Sequence, residues 1–407
     1  MGNITVVDSL MGSGKTTWSI QNINNEASRN FLYITPFLEE VGRIIENTNR
    51  DFKQPINKGK GKLVNLNELL SCQEDIASTH ELFKHLDEKS RAHIENGKYT
   101  LILDEVLNVI EPYDNIKSDD MRLLKESNCI SVDEDGFVIW NKDKLDYDTK
   151  YNDIKIMADN KGLIYVNQKL LLWRYPPEIF NIFDEVYILT YLFEASVLKN
   201  YFDLYHIKYN VKSITREKTQ YRLVDYFVPD TSSFKEKINI YNGILNDNVH
   251  QKNNGLSKTW FSATINQQFI VKLRKNIYNY FTNILDAKAD TIMWSTFKDY
   301  KGKLKGKGYS SQFVPFNCRS TNDYNSRYNL AYCINVYLHP GISQFFLQRE
   351  IRIDEDLYAL SEMIQWIWRS RIRNGKDINI YIPSVRMRKL LIDWIDMSLF
   401  YQKEKVC

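Results

Sequence analysis

The sequence predicts an α/β fold in which parallel sheets are flanked by helices, arranged in two successive units. Three observations predict it. Short apolar runs at residues 4–7, 31–34 and 100–103 alternate with amphipathic stretches, the pattern of strands buried on both faces and joined by crossover helices. A chain of 407 residues exceeds what one hydrophobic core usually serves. The alternation resumes in the second half, where TIMWSTF, SQFVPF and INIYIPS read as strands between helical stretches, so a second parallel sheet follows the first.

Composition narrows the function classes. Lys plus Arg number 54 against 51 Asp plus Glu, a net charge of +3, so any nucleic-acid footprint is local rather than global. The five cysteines, Cys72, Cys129, Cys318, Cys333 and Cys407, form no C-x-x-C pair and have no histidine at metal-ligand spacing. That is the usage of a reducing compartment. With no charged-then-apolar leader and no apolar run of bilayer length, the expectation is a soluble, intracellular protein without membrane association.

The first strand runs into SLMGSGKTTW, residues 9–18, and helix-forming residues take over near Lys15. A turn between strand and helix suits a polyphosphate: Gly12 and Gly14 free the backbone to point N–H groups inward, and the helix start adds its partial positive charge. The phosphate-loop pattern then assigns the cradle to Gly12, Ser13, Gly14, Lys15, Thr16 and Thr17, with Lys15 reaching the β- and γ-phosphates and the Thr16 hydroxyl coordinating Mg²⁺. Ser9 stands where the strict pattern has its first glycine.

Such a site needs a carboxylate at the end of a neighbouring buried strand, and YTLILDEVLNVIEPY supplies one. Residues 100–103 read as a central parallel strand, and Asp104 and Glu105 follow at its C-terminal edge, where open α/β sheets place ligands. Asp104 would hold the metal while Glu105 orients and deprotonates the attacking water. A second Asp-Glu-Val, at Asp184 and Glu185, precedes its strand and is read as surface residues leading into it.

With these two motifs the chain resembles superfamily 2 helicases and translocases, most of all the DEAD/DEAH-type helicase-like proteins of bacteriophages. The resemblance implies two RecA-like P-loop NTPase domains: residues 1–200 with an insertion at about 107–171, and residues 201–407. It further implies an ATPase, a hydrolase acting on acid anhydrides, working in DNA replication or a similar pathway with ATP and Mg²⁺ as cofactors.

Other segments align with motifs of that family. In NFLYITPFLEEVGRI, Thr35 and Arg43 would lie near a nucleic-acid backbone, although a plain β–α turn reads the same way. In DIASTHELFKHL, Thr79 would touch the same strand, and His80 either contacts it or caps the next helix. Thr190 sits where the family couples hydrolysis to strand binding. Arg319, Thr321 and Asn322 resemble a backbone-contacting Thr-Asp segment, without the glycine-containing remainder of that motif. Ser-Ala-Thr at residues 262–264 matches the family's wording but not its place, and is read as coincidence.

Between the motifs, the Asp-, Lys- and Asn-rich stretch after Val106 reads as short strands and turns. The lysine-glycine loops at Lys58, Lys60 and Lys62 and at Lys298, Lys301, Lys303, Lys305 and Lys307 suit phosphate backbones as point charges, and equally suit plain solvated surface.

Late in the chain, DEDLYALSEMIQWIWRSRIRNGKD predicts a helix with Leu357, Leu360, Ile364 and Ile367 facing the core, ending at Asn374 and Gly375. Gln365, Arg369 and Arg373 fall four apart on one face. The family's Gln-x-x-Gly-Arg-x-x-Arg helix closes over the γ-phosphate, so Gln365, Arg369 and Arg373 would act there. Trp368 replaces the glycine and Ile372 the second arginine, and Arg371 takes part only if the helix unwinds early.

The function expected is an ATP-dependent helicase or translocase on nucleic acid, with single-stranded DNA as the track, in the cytoplasm of a host cell, alongside replication or recombination proteins. A packaging or terminase-type motor and an ATP-gated binding module without translocation are the alternatives.

Overall fold

The computed structural model describes residues 3–59, 61–144, 150–167, 170–247, 253–317 and 323–397. The chain divides into two compact units, one of Met1–Asp8, Lys15–Val224 and Leu338–Ile353, the other of Ser9–Gly14, Asp225–Tyr337 and Asp354–Cys407.

The first unit contains β1 (Asn3–Asp8), β2 (Asn30–Thr35), β3 (Ile76–Thr79), β4 (Tyr99–Asp104), the short β5 (Ile110–Pro112), β6 (Ile130–Val132), β7 (Val138–Trp140), β8 (Leu163–Val166) and β9 (Leu170–Arg174), then β10 (Glu185–Thr190), β11 (Asn210–Glu217) and β12 (Gln220–Asp225). Seven of them form one sheet in the order β12-β11-β1-β10-β4-β2-β3. From β11 to β3 every neighbouring pair is parallel. The central strands are apolar without alternation and almost wholly buried, as a sheet covered on both faces requires. The helix Lys15–Asn25 covers the sheet with Trp18 and Ile23, and Trp18 meets Tyr187 edge-on at 5.2 Å.

Between β4 and β10 stands the expected insertion. An antiparallel sheet in the order β5-β9-β8 and a β6-β7 hairpin enclose a core of their own that includes Met121, Leu124, Ile130 and Trp140. The helix Pro340–Leu347 also belongs to this unit. Beyond its end Gln348 Nε2 donates to Asn167 Oδ1 at 2.7 Å and Arg349 Nη2 to the Asp135 carbonyl at 2.6 Å. The sequence reading started the second unit at 201. Yet β11 pairs with β1 from Thr5↔Asn210 to Val7↔Lys212, which holds the chain in the first unit as far as Val224.

The second unit holds β13 (Ile238–Ile240), β14 (Ile292–Ser295), β15 (Asn329–Tyr332) and β16 (Ile378–Tyr381) in the order β13-β16-β15-β14, all parallel. TIMWSTF and INIYIPS are strands as expected, but SQFVPF is not. It forms a 3₁₀ turn at Ser310–Gln312 and touches β14 only through an isolated Trp294↔Phe313 bridge. Pro315, which lacks an N–H, stops a longer ladder there. An aromatic core packs around Trp294, whose indole N–H donates to the Tyr309 carbonyl at 2.8 Å.

The helix expected to carry the arginines spans Glu355–Ile367 and ends on Trp368, seven residues short of Gly375, so Arg369, Arg371 and Arg373 all lie beyond it. Its expected core stripe is buried. The continuation is broken by Ser370, whose hydroxyl donates to the Ile367 carbonyl at 2.6 Å and accepts from the N–H of Ile372, opening a separate 3₁₀ turn at Arg371–Asn374. Gly375 at φ 71° closes that turn rather than the helix.

Candidate functional site

Parallel strands place their C-terminal ends along one sheet edge, and most of the expected chemistry of the first unit stands there. In register, Asp8 lies opposite Thr190, Leu189 opposite Asp104, Ile34 opposite Leu103, and Thr35 opposite Thr79. The turn leaving β1 has Gly12 at φ 81° and Gly14 at φ 97°, values that favour glycine. Inside it the Ser13 N–H donates to the Leu10 carbonyl at 3.2 Å. The Ser13 hydroxyl is buried and has no hydrogen-bond partner among the described residues, which is costly unless a ligand answers it. Helix Lys15–Asn25 begins immediately after, so its first N–H groups and Lys15 follow the glycines directly. Ser19 anchors this helix: its hydroxyl donates to the Thr16 carbonyl at 2.8 Å and lies 3.3 Å from the Tyr33 hydroxyl.

The Asp104 carboxylate at this edge is strongly perturbed. Burial pushes the Asp104 carboxyl up to about 7, helped by Glu105 and Glu40 and opposed by Arg43 and Lys15. Glu105 sits at φ 73°, a left-handed conformation that costs a non-glycine residue on the order of 1 kcal/mol. It is held there by its N–H, which donates to the Leu189 carbonyl at 3.0 Å and extends the ladder by one bond. A buried acid beside a second acid, with a threonine hydroxyl on the first helical turn, is a donor set that fits Mg²⁺, which takes one or two carboxylates and completes its shell with phosphate and water oxygens. Among the described residues no group of three or more His, Cys, Asp or Glu gathers as an all-protein metal cage.

Sequence reasoning missed Asp8. It is 4 % exposed, accepts from the N–H groups of Leu192 at 2.9 Å and Phe193 at 2.8 Å, and is pushed up to about 6 by burial although those bonds and Lys15 pull it down. It ties the end of β1 to the turn after β10, where Leu192 is at φ 57°. The available signal was a carboxylate closing the first apolar strand, directly before Ser9.

The residues assigned to nucleic acid fare differently. Thr35 is fully buried, and its hydroxyl donates to the Phe37 carbonyl at 2.9 Å and accepts from the Phe37 N–H, so it shapes the turn. Thr79 caps the helix His80–Phe83 by accepting from the Leu82 N–H. Arg43 forms a 2.5 Å ion pair with Glu40 and acts on Asp104. Arg319, Thr321 and Asn322 lie outside the described residues.

In the second unit, Gln365 donates to the Ser361 hydroxyl at 3.3 Å from the helix, and Arg369 follows the helix end at 8 % exposure. Arg373 is exposed in the 3₁₀ turn, so the three do not share one helix face. Arg371 is fixed by Asp377, whose carbonyl accepts from its Nε, and by the Tyr328 ring 3.9 Å away. Of the cysteines, Cys72, Cys129 and Cys333 are free thiols. No helix among the described residues is long and apolar enough to cross a membrane.

Comparison with known proteins accords with this architecture. Residues 110–173 match the family model of the YonV middle domain, and residues 232–395 that of the YonV C-terminal Rossmann-like domain. The SPbeta prophage-derived protein YonV of Bacillus subtilis (strain 168) is 41% identical over 413 aligned residues, covering 97% of this chain and 99% of that one. Among solved structures, XPD_APO superposes with a TM-score of 0.52 at 14% identity, over 96% of this chain and 95% of the other. Xpd4 of S. tokodaii gives 0.51 at 10% identity, over 97% and 94%. At such identities the likeness speaks for the fold alone: a helicase-like α/β fold of two RecA-like P-loop NTPase domains, the first carrying an insertion. The 41% relative, matched nearly end to end, makes the chain a member of the YonV family.

Proposed function

We propose that this protein is an ATP-dependent helicase or translocase of the phage-associated host cytoplasm, hydrolysing ATP between its RecA-like domains to move on nucleic acid, with single-stranded DNA as the track. One observation carries the reading: in one parallel sheet, the strand that feeds the glycine turn and Lys15 is separated by a single strand from the one ending in Asp104 and Glu105. In this reading the N–H groups of Gly12, Ser13 and Gly14, the Lys15 ammonium and the hydroxyls of Thr16 and Thr17 hold the triphosphate. Mg²⁺, held by Thr16 and Asp104, would neutralise charge on the phosphate oxygens. Glu105 accepts a proton from the attacking water, and Arg369, then Arg373, answer the charge that develops, with Gln365 assisting from the helix that precedes them.

The replacement of the family's glycine by Trp368 and the early helix end favour one second reading, an ATP-gated binding module that does not translocate. Turnover measured with and without single-stranded DNA separates the two. The motor is stimulated severalfold; a gated module binds DNA without faster turnover. Lys15→Ala should abolish ATP binding, whereas Glu105→Gln should bind ATP normally and fail to hydrolyse it. Equal loss of binding in both variants would contradict the roles assigned.

A further inference from the structure

The second unit contains a cleft that none of the motif residues lines. Its volume is about 440 Å³, and its walls are Arg274, Lys275, Tyr278, Asn279, Lys305 and Gly306, a size at which ligand sites begin to be common. One wall is the end of the helix Gln267–Asn279, and the other is the lysine-glycine loop after the helix Lys301–Leu304. Tyr309, fully buried, joins them: its hydroxyl donates to the Leu304 carbonyl at 2.6 Å and lies 3.5 Å from that of Arg274. A Cβ on Gly306 would stand 2.7 Å from the Tyr309 ring. Glycine there is what lets the loop lie flat and bring Lys305 beside the two cations of the helix.

The charge in this cleft is one-sided. Residues 267–285 and 300–317 contain no Asp or Glu, while they carry Lys272, Arg274 and Lys275 in the first stretch and Lys301, Lys303, Lys305 and Lys307 in the second. No carboxylate among the described residues pairs with Arg274, Lys275 or Lys305. Like charges converging without counter-charge make a focused positive potential, which is stabilised by an anion. Tyr278 adds a ring that is 36% exposed at the rim, and a tyrosine face beside cations suits a base next to its phosphate.

We propose that this cleft binds the backbone of single-stranded nucleic acid, with Arg274, Lys275 and Lys305 on consecutive phosphates and Tyr278 stacked on a base. The choice of nucleic acid among polyanions rests on the helicase-like reading above.

The test titrates the full chain into a fluorescein-labelled oligothymidylate, without ATP, across a series of salt concentrations. The triple variant Arg274→Ala/Lys275→Ala/Lys305→Ala should lower the slope of log K against log salt by about 2, since each phosphate contact on a single strand contributes roughly 0.7, and Tyr278→Ala should weaken binding at an unchanged slope. Basal ATP turnover should stay as in the parent for both. Lys305→Glu alone, should the triple variant unfold, must still weaken binding. Unchanged affinity and slope in the triple variant would overturn the proposal, as would tripolyphosphate displacing the oligonucleotide at equal phosphate concentration with Tyr278→Ala silent, which marks a site for free polyphosphate. Cleft-dependent binding in a chain that never turns over ATP leaves this inference standing and sinks the motor. DNA-stimulated turnover with cleft-independent binding does the reverse.

Discussion

Asp8 has no place in the phosphate-loop pattern, yet it is a buried carboxylate at the sheet edge, with its oxygens committed to two backbone N–H groups. Its carboxyl is raised from 3.8 to about 6. The folded chain therefore binds this proton more tightly than the unfolded chain, and stability falls as pH rises from about 4 to about 6, then levels. At neutral pH the residue costs on the order of 3 kcal/mol relative to its protonated form. Asp8→Asn should remove that dependence: its melting temperature relative to the parent should climb between pH 4 and 6 and stay constant above. A difference that is flat across this range in thermal unfolding would mean Asp8 is not the group that titrates. Position explains why Lys15, Asp104 and Glu105 were legible and Asp8 was not. The first three match the spacing of the proposed phosphate site, whereas Asp8 serves a partner, the turn at Leu192, which lies far along the chain. Thr35 shows the converse, since a hydroxyl after a strand reads equally as a strand contact or as a turn bond, and the latter is what it makes.

At the scale of elements, strands buried on both faces were readable because a continuous apolar run admits little else. β13 and β15, INI and NLAY, were not, because runs of three and four residues with an asparagine in each are too short to stand out without a longer apolar continuation such as the one that follows Asn379 in INIYIPS; within the sheet Asn379 Nδ2 of β16 donates to Asn329 Oδ1 of β15 at 3.0 Å. The arginine segment illustrates a second limit: periodicity measures which face is apolar but not where hydroxyl competition ends a helix. Ser370 is fully buried and its hydroxyl serves both the helix end and the following turn. Ser370→Ala should lower stability by about 1 kcal/mol, the usual loss for a capping hydroxyl, read as a shift of the urea midpoint at constant slope. A variant as stable as the parent would mean that the break after Ile367 is set by the packing of Trp366 and Trp368 instead.

At the scale of the molecule, the decisive question is whether the second sheet contributes to chemistry or only to binding. In the proposed reading the triphosphate is gripped by groups of the first motif, so nucleotide affinity should depend on Lys15 and hardly at all on Arg369. Turnover should depend on both. A guanidinium that neutralises transferring phosphoryl charge is worth about 10³ or more in rate, and its planar fork cannot be reproduced by an ammonium. Arg369→Ala should therefore cut turnover by roughly that factor while ATP affinity, followed by fluorescence of a labelled nucleotide, changes by less than about tenfold. Arg369→Lys, which keeps the charge of this largely buried position, should recover folding but little of the rate. Arg371→Ala, which loses the Tyr328 and Asp377 contacts, should instead lower the melting temperature and leave turnover at permissive temperature near that of the parent. If Arg369→Ala hydrolyses ATP as fast as the parent while Arg371→Ala does not, the charge is answered from the 3₁₀ turn, and the early end of the helix is then what brings that arginine to the nucleotide.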